Sequence, residues 1–285
     1  NNYKIKKIIV FSRDEQKHHR FIEELNENEK NKVRFFIGDI RDYPRILMAL
    51  KGVDFVIHAA AMKHVYLSEY NPNEAINTNI LGTQNLIRSA IENNCKKLVL
   101  LSTDKSVEPI NLYGATKLCA EKIVISSNSY SSSQKTRFAV VRYGNVIGSE
   151  GSVIQKFLQI KNNKNLEFKI TNKKMSRFWI NFDEAVKFVL NSMVQFKGGE
   201  IFVPKMKSFK ITDLAKAIDS SKKIIFTKPV IGEKDNEKLI TDYESLRTVI
   251  FKDKYIIRYP LGRVDNEHQR IFKACNSSKT KWKPS

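Results

Sequence analysis

Only three cysteines occur in the 285 residues, Cys95, Cys119 and Cys275, an odd number with no metal-ligand spacing. That count excludes a disulfide framework and a cysteine metal site, and it predicts reduced thiols in a cytoplasm. No stretch reaches the ~18 consecutive apolar residues that a membrane-spanning helix requires, so no membrane partner is expected. The chain opens Asn-Asn-Tyr-Lys with no signal-peptide pattern, and it contains no internal repeat. Acidic side chains are the scarcer sign, 30 Asp and Glu against 50 Lys and Arg, for a formal net charge of +20. Such a balance suits nucleic acid or an anionic membrane. The lysines, however, are scattered among Asn and Ile. The short stretch 279–283 (Lys-Thr-Lys-Trp-Lys) is the single dense basic block with an aromatic. An anionic small ligand is therefore the expected partner, and nucleic acid is not.

A further absence bears on function. A dinucleotide-binding sheet opens with a strand, a Gly-rich turn and a helix that meets the pyrophosphate. No such motif exists here, and residues 1–7 lead straight into what reads as the second strand. One strand, turn and helix amount to roughly 25–30 residues, most of a βαβ unit. The expectation is an N-terminally incomplete version of a longer protein; the competing account is a complete protein that lost its phosphate loop.

What is present is a regular alternation. Apolar runs at 7–12, 33–38, 53–60, 97–102, 138–143 and 199–204 read as strands. Helical patterns fall at 15–28, 44–50, 73–93, 113–127, 152–160, 183–196 and 211–218, and 165–180 reads as irregular and basic. Continuous apolar runs broken by helices are the signature of a parallel sheet covered on both faces. The predicted fold is α/β, a doubly wound, Rossmann-like parallel sheet lacking its first strand, with a smaller C-terminal substrate domain. The predicted boundaries are a cofactor-binding unit over 1–147, completed by about 178–204, and a substrate-binding region over 148–177 and 205–275. A tail without regular structure is predicted at 276–285.

The chemistry gathers around residue 103. Ser102-Thr103-Asp104-Lys105 ends the fourth strand, and Tyr113-Gly-Ala-Thr-Lys117 follows ten residues after Thr103. The four-residue spacing places Tyr113 and Lys117 on one helix face, one turn apart. An ammonium there is expected to lower the phenol's pKa, so that Tyr113 can take a proton from a sugar hydroxyl near neutral pH. At the end of the preceding strands, Ser12-Arg13 sits where the adenosine ribose is contacted. A basic residue there suits a 2′-phosphate, so Arg13 argues for NADP over NAD. Asp39-Ile40 is placed to hold the adenine edge. Ala59-Ala60-Ala61 lets backbone pass close to the cofactor, and Asn79 is expected to orient the active-site backbone. His58 reads as a packed strand residue.

These pieces resemble extended short-chain dehydrogenase/reductases, and within them the UDP-N-acetylglucosamine 4,6-dehydratases that invert carbon 5. The matching segments include GDIRD (38–42), HAAAMKHV (58–65), LSTDKS (101–106), PINLYGATKLCAEK (109–122), VVRYGNVIGSEGSV (140–153) and MSRFWINFDEAVKFVL (175–190). They span about residues 8–220. Relatives that retain the carbon-5 configuration often carry Met where this chain has Tyr113. The resemblance implies an oxidise, eliminate, reduce sequence on UDP-N-acetylglucosamine in deoxyamino-sugar or nonulosonic acid biosynthesis, with transient reduction of NADP. Tyr113 and Lys117 then handle the 4-hydroxyl proton and the nicotinamide ribose. Thr103 holds the 4-oxygen, Lys105 takes the carbon-5 proton, and Asp104 protonates the departing 6-hydroxyl. Lys63 lines the sugar pocket or meets the cofactor, Asn145 binds sugar or diphosphate, and Arg177 binds a UDP phosphate. No metal is implied, and a homo-oligomer is expected. The chain departs from the family pattern at the absent Gly-rich loop and at Val230-Ile231, which stand where relatives have Arg-Pro; the last 65 residues match poorly. Two other readings stay open: another nucleotide-sugar epimerase or dehydratase, which can dispense with the Asp104-Lys105 pair, and a catalytically inactive fragment.

Overall fold

A computed structural model describes residues 5–130, 136–149, 151–163, 166–228 and 230–259. Cys275 and the tail 276–285 lie outside them. The first half alternates strands and helices: β1 (Ile8–Ser12), α1 (Glu15–Glu24), α2 (Glu27–Lys30), β2 (Val33–Ile37), α3 (Tyr43–Ala49), β3 (Phe55–His58), α4 (Val65–Tyr70), α5 (Pro72–Ile76), α6 (Gly82–Glu92), β4 (Lys97–Thr103), α7 (Leu112–Tyr130) and β5 (Arg137–Tyr143). The second half contributes β6 (Asn145–Val146), α8 (Val153–Lys161), β7 (Phe168–Ile170), β8 (Ser176–Ile180), α9 (Phe182–Gln195), β9 (Glu200–Pro204), β10 (Lys207–Lys210), α10 (Ile211–Ile218), β11 (Ile224–Phe226), α11 (Asp242–Ser245), β12 (Thr248–Ile250) and β13 (Lys254–Arg258).

Six strands form the main sheet in the order β12-β13-β9-β5-β4-β3. β3, β4, β5 and β9 run parallel, and β13 and β12 continue the sheet antiparallel. Both faces of this sheet are covered. Leu98, Leu100, Phe138 and Val140 point into one apolar cluster with Ala120, Val124 and Ile125 of α7. Val99, Ala139 and Val141 point the other way, onto Val189 and Met193 of α9. That two-sided burial is why these strands read as unbroken apolar runs. A third cluster, built on Phe157, Phe168, Met175 and Trp179, belongs to the smaller sheets β10-β8-β6 and β11-β7.

β1 and β2 pair in parallel as a separate two-stranded sheet. β3 is accordingly an edge strand among the described residues. Its Val56 and His58 are buried, while Phe55 and Ile57 are half exposed.

Local structure departs from the sequence reading at several places, among them an unexpected helix α4 over Val65–Tyr70. The helix expected over 15–28 breaks at Leu25, because Asn26 starts α2 with a reciprocal capping box to Glu29. The helix expected over 73–93 is interrupted by a π turn over Asn77–Leu81, which joins α5 to α6. Segment 165–180, read as irregular, holds β7 and β8. Their short apolar alternations (Phe168 and Ile170 buried, Lys169 exposed) are masked in the sequence by flanking lysines.

Candidate active site

β4 delivers the site. Thr103 keeps extended backbone, and the chain then closes into a single 3-10 turn, Asp104–Ser106. The Thr103 hydroxyl accepts a bond from the Lys105 amide (3.3 Å) and donates to Asp104 Oδ1 (2.9 Å), capping the turn with its own side chain. Ser106 fastens the far end, donating to the Thr103 carbonyl (2.6 Å) and to Glu121 Oε1 (2.7 Å) on α7. Two glycines let other elements approach this turn. A Cβ on Gly114 would collide with the Lys105 carbonyl oxygen, so α7 can begin here only with glycine. A Cβ on Gly144 would press 2.7 Å from Phe178 Cβ and 3.1 Å from Asp104 Oδ2.

Within the turn, Lys105 Nζ donates to Asp104 Oδ1 at 3.1 Å and lies 3.4 Å from Glu237 Oε1. Both carboxylates are almost wholly buried, whereas Lys105 is about a quarter exposed. Asp104 Oδ2 is buried and has no hydrogen-bond partner among the described residues.

Tyr113 stands one residue into α7 and Lys117 one turn further on, as the spacing required. Their electrostatics differ from the expectation. Burial pushes the Tyr113 phenol above its ordinary range, and the opposing hydrogen bond with Thr103 is the smaller effect. The Lys117 ammonium donates instead to the Leu101 carbonyl at 2.7 Å. Burial pushes Lys117 down to about 8, with Glu121 pulling the other way. The expected ammonium-lowered phenol is therefore corrected: desolvation outweighs the hydrogen bond with Thr103, and the nearby Asp104 charge raises the phenol further. His58 is a packed strand residue, 2.9 Å from Thr83 Oγ1. Burial, and after it the Lys117 charge, push it down to about 3, so its ring is neutral.

A cavity of about 340 Å³ opens beside the turn, its wall including Lys105, Asn145, Arg177, Lys156, Lys169 and Glu237. Three residues expected to touch substrate or reacting atoms thus share one wall. Thr103, Asp104, Tyr113, Lys117 and Lys63 are not in it. Asn145 Oδ1 is a buried acceptor without a hydrogen-bond partner among the described residues. Arg177 is tied by Nη1 to the carbonyls of Ser176 (2.7 Å) and Asp235 (3.0 Å), and by Nη2 to Glu233 at 3.5 Å. The sequence reading missed Lys156, Lys169 and Glu237. Lysine is too common in this chain to single out two of fifty basic residues, and Glu237 lies where the family pattern fades.

At the carboxyl ends of β1 and β2, Arg13 Nη1 meets Asp39 Oδ2 at 3.3 Å. Arg41 grips the same carboxylate more tightly, at 2.7 and 3.0 Å. The Arg41 hydrogen bonds hold Asp39 at about 2. Arg41 was not anticipated, although it stands two residues from Asp39. The Ser12 hydroxyl accepts from the Asp14 amide, and Ile40 is buried against Gly82. Ala59 and Ala60 are exposed after β3, with Ala61 beside them and Lys63 exposed further on. Asn79 sits in the π turn. Its side chain bonds both the amide and the carbonyl of Met62 (2.8 and 3.0 Å) and Thr116 Oγ1 (2.9 Å). The widened turn thus pins the chain after β3 to the first turns of α7. An exposed guanidinium and small residues at the carboxyl ends of parallel strands fit an anionic dinucleotide.

A doubly wound α/β fold with Tyr-x-x-x-Lys beside a strand-end hydroxyl defines a protein of the short-chain dehydrogenase/reductase type. The comparisons agree, and the chain belongs to the family described as Polysaccharide biosynthesis protein, which it matches over residues 1–259. It is 46% identical over 284 residues to a UDP-N-acetylglucosamine 4,6-dehydratase (inverting) of Campylobacter jejuni subsp. jejuni serotype O:23/36, covering 99% of this chain and 84% of that one. It is 42% identical over 273 residues to a UDP-glucose 4-epimerase of Rickettsia bellii, covering 94% and 78%. Among solved structures, Pen from Bacillus thuringiensis superposes with a TM-score of 0.86 at 39% identity, covering 90% and 82%. Among the described residues no helix is long and apolar enough to cross a membrane.

Proposed function

We propose that the protein converts UDP-N-acetylglucosamine to a UDP-6-deoxy-4-keto-N-acetylhexosamine with inversion at carbon 5, a lyase reaction assisted by NADP. The observation that carries this reading is the Asp104–Lys105 pair, a buried acid and an amine 3.1 Å apart at the cavity edge. Oxidation at carbon 4 needs only Tyr113 and Lys117; an acid and a base side by side are what elimination adds.

A bound NADP would supply the hydride acceptor for carbon 4 and, once reduced, the hydride donor for carbon 6. Arg13, with Arg41 beside it, would hold the 2′-phosphate, Asp39 and Ile40 the adenine side, and Ala59–Ala61 the passing backbone. Tyr113 would take the 4-hydroxyl proton as its phenolate, a form that burial alone disfavours and that the positive charge of a bound oxidised nicotinamide would favour, and Thr103 would hydrogen-bond the resulting oxygen. The 4-keto group acidifies carbon 5, whose proton Lys105 removes. Asp104 gives its proton to the 6-hydroxyl, which leaves as water. Transfer across the 3.1 Å contact then moves the proton from Lys105 to Asp104 and restores the pair. Protonation of carbon 5 from the opposite face by a proton drawn from solvent completes inversion, and the proton held on Tyr113 returns to solvent. Arg177 and Asn145 would orient the diphosphate and sugar.

The test is product analysis with protein expressed from its complete reading frame, supplied with UDP-N-acetylglucosamine and NADP. A 6-deoxy-4-keto product carrying solvent deuterium at carbon 5 is expected. The similarity to UDP-glucose 4-epimerases favours a second reading, simple 4-epimerisation. A 4-epimer that keeps its 6-hydroxyl would establish that reading instead.

A further inference from the structure

Glu237 has no role in the steps above, yet its surroundings are unusual. The cavity wall carries four cationic side chains, Lys105, Lys156, Lys169 and Arg177, which suit an anionic nucleotide. A buried carboxylate in that wall opposes the same ligand. Glu237 is 3% exposed, and among the described residues its Oε2 has no hydrogen-bond partner. Burying an incompletely bonded carboxylate is costly. Its close contacts are two lysine Nζ atoms, Lys105 at 3.4 Å and Lys234 at 3.8 Å.

The strand of chain that brings it runs along the catalytic turn and grips it repeatedly. Asn111 Nδ2 donates to the Gly232 carbonyl at 2.7 Å. Lys234 Nζ donates to the Val107 carbonyl at 2.6 Å. Lys238 Nζ donates to Glu108 Oε1 at 3.0 Å. Residues 232–238 are therefore fastened to residues 107–111 at three points, with Glu237 aimed at Lys105 between them. A lysine stem has four rotatable bonds and considerable rotamer freedom. Asp104, its immediate neighbour in sequence, constrains the amine from one side. Glu237 constrains it from a second, independent element.

We infer that Glu237 is a positioning residue that, with Asp104, holds the Lys105 amine at one point of the cavity wall for its step at carbon 5. As a statement about that step, the inference rests on the dehydratase reading; as a statement about where the amine is held, it does not. The test uses Glu237→Gln, which keeps shape and drops charge, and Glu237→Asp, which keeps charge on a shorter stem, both expressed from the complete reading frame. With UDP-N-acetylglucosamine, Glu237→Gln should lose about 10- to 100-fold in kcat with KM within about twofold. Reduced cofactor should build up during turnover, because oxidation at carbon 4 proceeds while proton removal at carbon 5 lags. Glu237→Asp should recover part of the loss. A raised KM with unchanged kcat, or a kcat loss without reduced cofactor or rescue, would overturn the positioning role.

A second measurement is independent of the reaction. Acylation of Lys105 by acetic anhydride, followed by mass spectrometry with Lys63 as internal reference, should rise at least threefold in Glu237→Gln. Unchanged Lys105 labelling overturns the clamp whatever the enzyme makes. Increased labelling in a protein whose wild type yields no 6-deoxy-4-keto product keeps the clamp and refutes the dehydratase reading.

Discussion

Lys117 shows how a functional side chain taxes its own fold. Its ammonium is enclosed, with the Leu101 carbonyl as its hydrogen-bonded partner, and burial drops it to about 8. Between about pH 8 and 10.5 the unfolded chain keeps a proton that the folded protein has released. Stability therefore rises with pH across that window, and the full penalty, on the order of 3 kcal/mol, is felt below it. Lys117→Met should match or exceed the wild type in denaturant midpoint at pH 7, despite losing the bond to Leu101. That relative advantage should shrink as the pH approaches 10.5, and a pH-independent difference would sink the explanation. Activity should be lost in the same variant. On the proposed reading Tyr113 and Lys105 divide the chemistry differently. Tyr113→Phe should block oxidation, so no reduced cofactor appears on mixing with substrate. Lys105→Ala should let reduced cofactor form and then stall. Stopped-flow absorbance separates the two, and if both variants stall before reduction, Lys105 has a binding role.

Among elements, the joint between β5, α7 and α11 decides whether the catalytic turn is held. Arg142 on β5 is 1% exposed and forks onto Glu121 of α7 (2.6 Å) and Glu244 of α11 (2.9 Å). Burial pushes Glu244 up, but Arg142 outweighs it and keeps that carboxylate at about 2. Glu121 also accepts the Ser106 hydroxyl, so the network reaches the turn that carries Asp104 and Lys105. Arg142→Leu strands two buried carboxylates and should destabilise the protein by about 3–5 kcal/mol. The measurement is the urea midpoint. A change below about 1 kcal/mol would mean that the joint is solvated.

For the molecule as a whole, the proposed reading splits cofactor recognition between two sheets. The adenosine end would belong to β1 and β2, where Arg13, Arg41 and Asp39 meet, and the reacting end to β3, β4 and α7. Arg41 forks onto Asp39, so the more exposed Arg13, with a single 3.3 Å contact, is the guanidinium free to turn toward a phosphate. Arg13→Ala should narrow the preference for NADP over NAD by about 1.5–3 kcal/mol, the worth of a charge-assisted hydrogen bond. Paired titrations of the two cofactors measure it, and an unchanged ratio refutes the assignment.

The sequence alone determined the doubly wound sheet, because strands buried on both faces must be written as continuous apolar runs and their helices as periodic ones. It also placed Tyr113 one turn from Lys117 and set Thr103, Asp104 and Lys105 at a strand end, since those relations are local. Contacts across long separations were not legible. The pairing of Lys105 with Glu237 joins residues 132 positions apart, and nothing in either neighbourhood announces the other. The π turn that aims Asn79 at Met62 costs a register shift which the 3.6 period hides. The direction of the Tyr113 shift was misjudged for a related reason. Spacing gives proximity to an ammonium, but burial is set by everything else that packs around the phenol, and here desolvation is the larger effect.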